Sequence, residues 1–290
     1  MNVFIRILLR VLIYAVLITV GLSLYTFLVS IFPPRHITGI TPSDMGMDYE
    51  AVTLVTEDGV RLKGWYIPSQ GSRGRAVIVC HGYPMDKGNV LSLASFLHEE
   101  FDLLFFDFRA MGESGGRITT CGWNERKDFL AAVRYLKDKG MERIGAIGFS
   151  MGGAVIIMAN SPEVDAIVSE SAYADLDDIV RTIYGRFRVL SRLFSEATNL
   201  WSRLFIRVDL KKVAPRDFIG RVEAPVFLIH SERDSQIPVE HALILKQANP
   251  AAELWIADEA GHGEAIALSR DEYERRVSEF LVRELDRYER

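Results

Sequence analysis

Cysteine is nearly missing from this chain. Cys80 and Cys121 are its only two in 290 residues, and neither belongs to a Cys-x-x-Cys pair. Two such residues cannot build a disulfide framework, and their spacing offers none of the usual structural zinc sites. No metal or other cofactor is expected. A basic excess is lacking as well: the net charge is −5, whereas a nucleic-acid surface is usually basic. Nucleic acid is therefore excluded as a partner.

What the chain does have is an uncharged apolar run at residues 11–32. As a helix it is about 33 Å long, against a bilayer hydrocarbon core of about 30 Å. Arg6 and Arg10 precede it and Pro33-Pro34 ends it. No Ala-x-Ala cleavage site follows, so an uncleaved signal anchor is the better reading than a cleaved signal peptide. The run has no polar face, which disfavours a buried soluble helix. Residues 1–34 are accordingly assigned to a transmembrane anchor, 35–48 to a linker and 49–290 to one catalytic-sized domain. The basic residues before the run outweigh Arg35 and His36 after it. The positive-inside rule then leaves the large domain outside the cytoplasm.

From residue 49 onward strands alternate with helices. Residues 51–56 and 60–67 flank Asp58-Gly59 and read as a hairpin. Residues 76–80, 103–106, 144–149, 164–168, 225–229 and 253–256 are short apolar runs, as expected of strands buried on both faces. Helices are expected at 89–100, 123–139, 154–159, 239–248 and 269–287. This alternation predicts an α/β fold with a mostly parallel central sheet and helices on both faces. Function in such folds lies at the carboxyl ends of the strands.

Residues 175–216 interrupt the pattern. Leu176, Ile179, Val180, Ile183, Tyr184, Phe187 and Leu190 recur at helical spacing, and nine basic residues face five acidic ones. The segment reads as a short helical cap over the mouth of the site. Its alternatives are an ordinary solvated helical pair and a basic lid lying on an anionic membrane.

The chemistry gathers around Gly148-Phe149-Ser150-Met151-Gly152. An apolar strand runs into a helix with Ser150 at the join, and the flanking glycines leave room for a sharp turn that projects the hydroxyl. A serine nucleophile needs a base, and the base needs an orienting acid. Asp234 and His262 supply them, each just after an expected strand. The order Ser, Asp, His differs from that of the chymotrypsin and subtilisin classes.

Together with His81-Gly82-Tyr83, the Asp107 to Gly115 loop, Asp234-Ser235-Gln236-Ile237-Pro238 and Gly261-His262, these residues resemble the α/β-hydrolases. The resemblance covers about residues 49–290 and is closest to the membrane-anchored α/β-hydrolase domain-containing serine hydrolases and their bacterial relatives. It implies Ser150 as nucleophile, His262 as general base and then acid, and Asp234 as the orienting carboxylate. The backbone N–H groups of Tyr83 and Met151 would form the oxyanion hole. It also implies a structural role for His81 and loop-tying roles for Asp107 and Arg109. Some members place the acid after the preceding strand, which makes Glu170 the competitor of Asp234. The chain departs from the common pattern at Ala110 and Ser231, neither of them in the triad. A serine at the elbow argues against the carboxylate nucleophile of epoxide hydrolases and haloalkane dehalogenases. What remains is hydrolysis of an ester, thioester or amide, and the anchor points to a lipid-like acyl substrate. A binding protein on the same fold is the non-catalytic alternative.

Overall fold

A computed structural model describes residues 3–183 and 188–286 of the chain. Eight strands form one mixed sheet. β1 (Glu50–Val55) and β2 (Arg61–Ile67) are an antiparallel hairpin, and β2 runs antiparallel to β4 (Asp102–Phe106). β3 (Arg75–Cys80), β5 (Arg143–Phe149), β6 (Ala166–Glu170), β7 (Val226–Ser231) and β8 (Glu253–Ala257) continue in parallel, in the order β1-β2-β4-β3-β5-β6-β7-β8.

The parallel strands feed two cores by simple alternation. In β3, Ala76, Ile78 and Cys80 face one apolar cluster while Val77 and Val79 face the other, as a period of two requires. On the first face lie α3 (Glu125–Asp138), α4 (Met151–Ala159) and α7 (Glu240–Ala248), contributing Phe129, Val155 and Leu245. On the second lie α2 (Leu91–Ala94) and α9 (Arg270–Leu285), contributing Leu91, Tyr273, Phe280 and Leu281. A one-turn helix, α8 (Ala265–Leu268), leads into α9.

The helix expected over 89–100 is not one helix. It divides into a 3-10 turn at Lys87–Val90, α2, and a second 3-10 segment at Ser95–Glu99. Leu91, Leu93, Ala94 and Leu97 are all buried. With Val90 they keep the spacing of one helical face, so the apolar pattern is helical although the hydrogen bonding divides into 3-10 and α segments. The Asp86 carboxylate caps the first turn by accepting the Asn89 N–H at 3.1 Å.

The interrupting segment forms α5 (Leu176–Ile183) and α6 (Arg188–Phe205). The expected apolar positions Tyr184 and Phe187, and the basic Arg186, lie outside the described residues. The N-terminal apolar run is helical over Val3–Ile31, longer than its uncharged part because Arg6 and Arg10 are good helix formers. This is the one described helix long and apolar enough to cross a membrane. Its outer half is exposed, whereas Thr19, Ser23, Phe27 and Ile31 are buried at four-residue spacing. That stripe packs on α6. The helix, α1 (Val3–Ile31), is thus docked on the cap over its last turns.

Candidate active site

Ser150 sits where β5 gives way to α4, with φ 53° and ψ −116°. A non-glycine residue pays for such a conformation with backbone strain, which persists only where the surroundings enforce it. Here the enforcement is visible. The Ser150 N–H donates to the Glu170 carbonyl at 2.8 Å, and the Ser150 carbonyl accepts the Ala154 N–H at 3.2 Å. A Cβ at Gly148 would collide with the backbone of Gly152 and Gly153, and one at Gly152 with the Cys80 carbonyl. Both glycines are therefore required by close backbone approach.

Two loops from the carboxyl edge of the sheet meet the serine. Asp234 follows β7 and His262 follows β8. The His262 Nε2 lies 3.2 Å from Ser150 Oγ, and its Nδ1 lies 2.6 Å from Asp234 Oδ2. With the imidazole neutral, Nδ1–H donates to the carboxylate and Nε2 is left to accept the serine proton. Asp234 is fully buried at its side chain. Burial pushes its carboxyl up, but the His262 hydrogen bond and the N–H groups of Ile237 and Gln236 outweigh that and hold it low. Its Oδ1 accepts those two N–H groups at 2.8 and 2.9 Å. The acid is an anion fixed in one orientation.

Glu170 stands behind this group and has a different partner. Its Oε2 accepts the Tyr273 hydroxyl at 2.9 Å, and its Oε1 has no hydrogen-bond partner. Burial raises its carboxyl to about 7. A group that favours the neutral form, and that contacts Tyr273 instead of His262, is poorly suited to orient an imidazolium. Asp234 is the carboxylate that the geometry pairs with His262.

Tyr83 and Met151 line the same pocket as Ser150 and His262. Met151 is the first residue of α4, where N–H groups have no intrahelical acceptor and the helix dipole is positive. The Ser150 N–H, by contrast, is already committed to Glu170. His81 is fully buried. Its Nδ1–H donates to the Gly82 carbonyl at 2.7 Å, leaving Nε2 to accept the Phe108 N–H at 3.0 Å. Burial lowers its pKa, so it holds two loops together as a neutral ring. Asp107 accepts the Lys87 N–H and ammonium at 2.7 and 2.8 Å, and Arg109 bridges Asp58 and Asp128. These two tie loops, as the resemblance implied.

The pocket is about 840 Å³, within the range of small-molecule sites. Phe149, Leu176, Ile179 and Ile237 give it apolar walls, the second and third of them from α5. Several wall residues could not be read from sequence motifs. His36 comes from the stretch assigned as a linker, and Cys121 and Tyr173 come from loops without a signature. His230, four residues before Asp234, is also unanticipated. Its Nε2–H donates to the Ile237 carbonyl at 2.8 Å, bracing the loop that carries the acid.

Known proteins share this fold. The esterase Pf2001 of Pyrococcus furiosus superposes with a TM-score of 0.72 at 34% identity, over 87% of this chain and 99% of that one. In sequence the chain is 29% identical over 248 residues to the uncharacterized protein YqkD of Bacillus subtilis, covering 81% of this chain and 80% of that protein. It is 28% identical over 239 residues to the protein YfhR of Salmonella typhi, covering 78% of each. The model of the prolyl oligopeptidase family (Peptidase_S9) matches residues 118–287. Ser150, Asp234 and His262 all fall inside that match, which spans more than half of the chain. The chain belongs to the prolyl oligopeptidase family and is a hydrolase of the α/β-hydrolase superfamily.

Proposed function

We propose that this protein is a membrane-anchored serine hydrolase that cleaves carboxylic esters or thioesters of lipid-like acyl substrates through an acyl-enzyme. The observation that carries the reading is the continuous chain from Ser150 Oγ through His262 to Asp234, at 3.2 and 2.6 Å, opening on an apolar pocket. His262 Nε2 takes the serine proton as Oγ attacks the acyl carbonyl, and Asp234 stabilises the imidazolium. The oxyanion is received by the N–H groups of Tyr83 and Met151. His262 then gives its proton to the leaving alcohol or thiol. Water, activated by the same imidazole, attacks the acyl-enzyme and releases the acid and the serine hydroxyl.

Membrane anchoring rests on α1, whose mean hydropathy reaches 2.4. In this reading the amino terminus lies in the cytoplasm and the hydrolase domain outside it. Leu200, Leu204 and Phe205 of α6 are exposed beside α1, which suits a cap resting in the membrane interface.

Amide cleavage is the second reading, favoured by the family match, whose name is that of a peptidase family. The test is labelling with a fluorophosphonate, followed by rates on matched ester, thioester and anilide substrates of one acyl group. Labelling at Ser150 with ester or thioester turnover well above anilide turnover is expected. Anilide turnover equal to the ester's selects the second reading. Absence of both labelling and turnover selects a binding protein.

A further inference from the structure

A second cavity, of about 220 Å³, lies beside the Ser150 pocket. Its walls come from the N-terminal helix, from the consecutive helices α5 and α6, and from loops. Phe27 and Ile31 belong to α1, Val180 to α5, and Phe194 and Thr198 to α6. Tyr83, Cys121, Leu176 and Ile179 line both cavities, so the two lie side by side. No charged side chain lines the second one among the described residues. The hydroxyls of its threonines are turned to neighbouring acceptors or buried in the wall. Thr26 donates to the Leu22 carbonyl at 3.0 Å, Thr120 donates to Glu125 at 2.7 Å, and Thr198 Oγ1 is buried without a partner.

A mostly apolar chamber next to a nucleophile suits a hydrocarbon tail. Resting on the proposed hydrolase chemistry, we infer that the acyl chain of the substrate passes from Ser150 between Tyr83 and α5 into this chamber. The anchor helix is then one wall of the substrate site, and its last two turns set how long an acyl chain is accepted. The docking of α1 is firm enough for such a role. Ile31 is 4% exposed and its carbonyl accepts the Thr119 N–H at 2.9 Å. Just beyond the helix, Arg35 donates to the carbonyls of Gly112, Ser114 and Gly116 at 3.1, 2.6 and 2.9 Å.

The inference is tested on the full chain in bilayer discs, since the alkyl tails of a detergent would compete for the chamber. The readout is kcat/KM for p-nitrophenyl esters from acetate to octanoate. Each methylene buried in the chamber is expected to raise kcat/KM about four-fold (about 0.8 kcal/mol) until the chamber is full. Thr198→Phe fills the chamber from α6. Ser30→Trp fills it from the rim, where the native side chain is exposed, so folding is not at stake. Each variant should lower the octanoate-to-acetate ratio at least ten-fold. Val29→Trp, on the exposed side of α1 and outside the chamber, should leave the ratio at the wild-type value. An unchanged ratio in folded Ser30→Trp and Thr198→Phe overturns the acyl-chamber inference while leaving the hydrolase reading intact. Absence of ester turnover and of fluorophosphonate labelling in the wild type overturns both.

Discussion

The Trp201 indole N–H donates to Ser23 Oγ at 3.0 Å, a bond between the cap and the N-terminal apolar helix across 178 positions of sequence. Phe27 and Phe205 lie beside it with ring centroids 6.1 Å apart. Serine in an apolar helix is otherwise a poor choice, so its place is explained by this contact. Trp201→Phe removes the hydrogen bond and should lower stability by about 1 kcal/mol. Ser23→Ala also removes its hydroxyl's bond to the Val20 carbonyl at 2.7 Å, and the double variant should lose less than the sum of the two single ones, because the Trp201–Ser23 bond is lost in all three. Thermal unfolding in a bilayer checks the cycle. Additive losses would mean that the two groups act separately.

The triad reading makes a graded prediction. Ser150→Ala should abolish hydrolysis of a short p-nitrophenyl ester and labelling by fluorophosphonate, with an unchanged circular dichroism spectrum. His262→Ala should be about as severe, since the group works as a unit. Asp234→Asn should lower kcat by roughly 10⁴-fold, because an amide favours the wrong imidazole tautomer. Full activity in Asp234→Asn would transfer the orienting role to Glu170.

Glu170 itself predicts a pH-dependent stability. Its carboxyl is raised to about 7 in the fold, whereas an unperturbed glutamate titrates near 4.3. Between about pH 4.5 and 7 the native state therefore holds a proton that the unfolded chain has released. Stability falls as pH rises through that window, and the penalty, on the order of 3 kcal/mol, is complete above it. Glu170→Gln keeps the shape without the charge. It should be more stable than wild type at pH 8 and nearly equal to it at pH 4, as measured by urea unfolding. An equal gain at both pH values would assign the effect to packing.

The proposed membrane anchor, α1, predicts how the protein fractionates. Full-length protein should stay with membranes through alkaline carbonate extraction, which strips peripheral proteins. Release into the supernatant would make α1 a docked amphiphilic arm without a membrane span.

Much of this protein is written locally. The buried strands are legible because parallel strands covered on both faces need unbroken apolar runs, as in residues 144–147. The elbow is legible because Gly148 and Gly152 are where the backbone crowds the Ser150 turn. The order of Ser150, Asp234 and His262 is legible because each follows a strand whose carboxyl end faces one edge of the sheet. What only the tertiary structure decided are relations between distant segments with no periodic trace. Glu170 and Asp234 both follow apolar strands and both carry a carboxylate; which one touches His262 depends on loop paths after β6 and β7. The division of residues 87–99 into 3-10 and α segments leaves no trace in their apolar spacing, which is that of one helix. The N-terminal run shows its length and apolarity in the sequence. That Thr19, Ser23, Phe27 and Ile31 form the buried stripe against α6 follows from packing between surfaces, because α6 lies far along the chain from α1 and its partner face is not recorded locally.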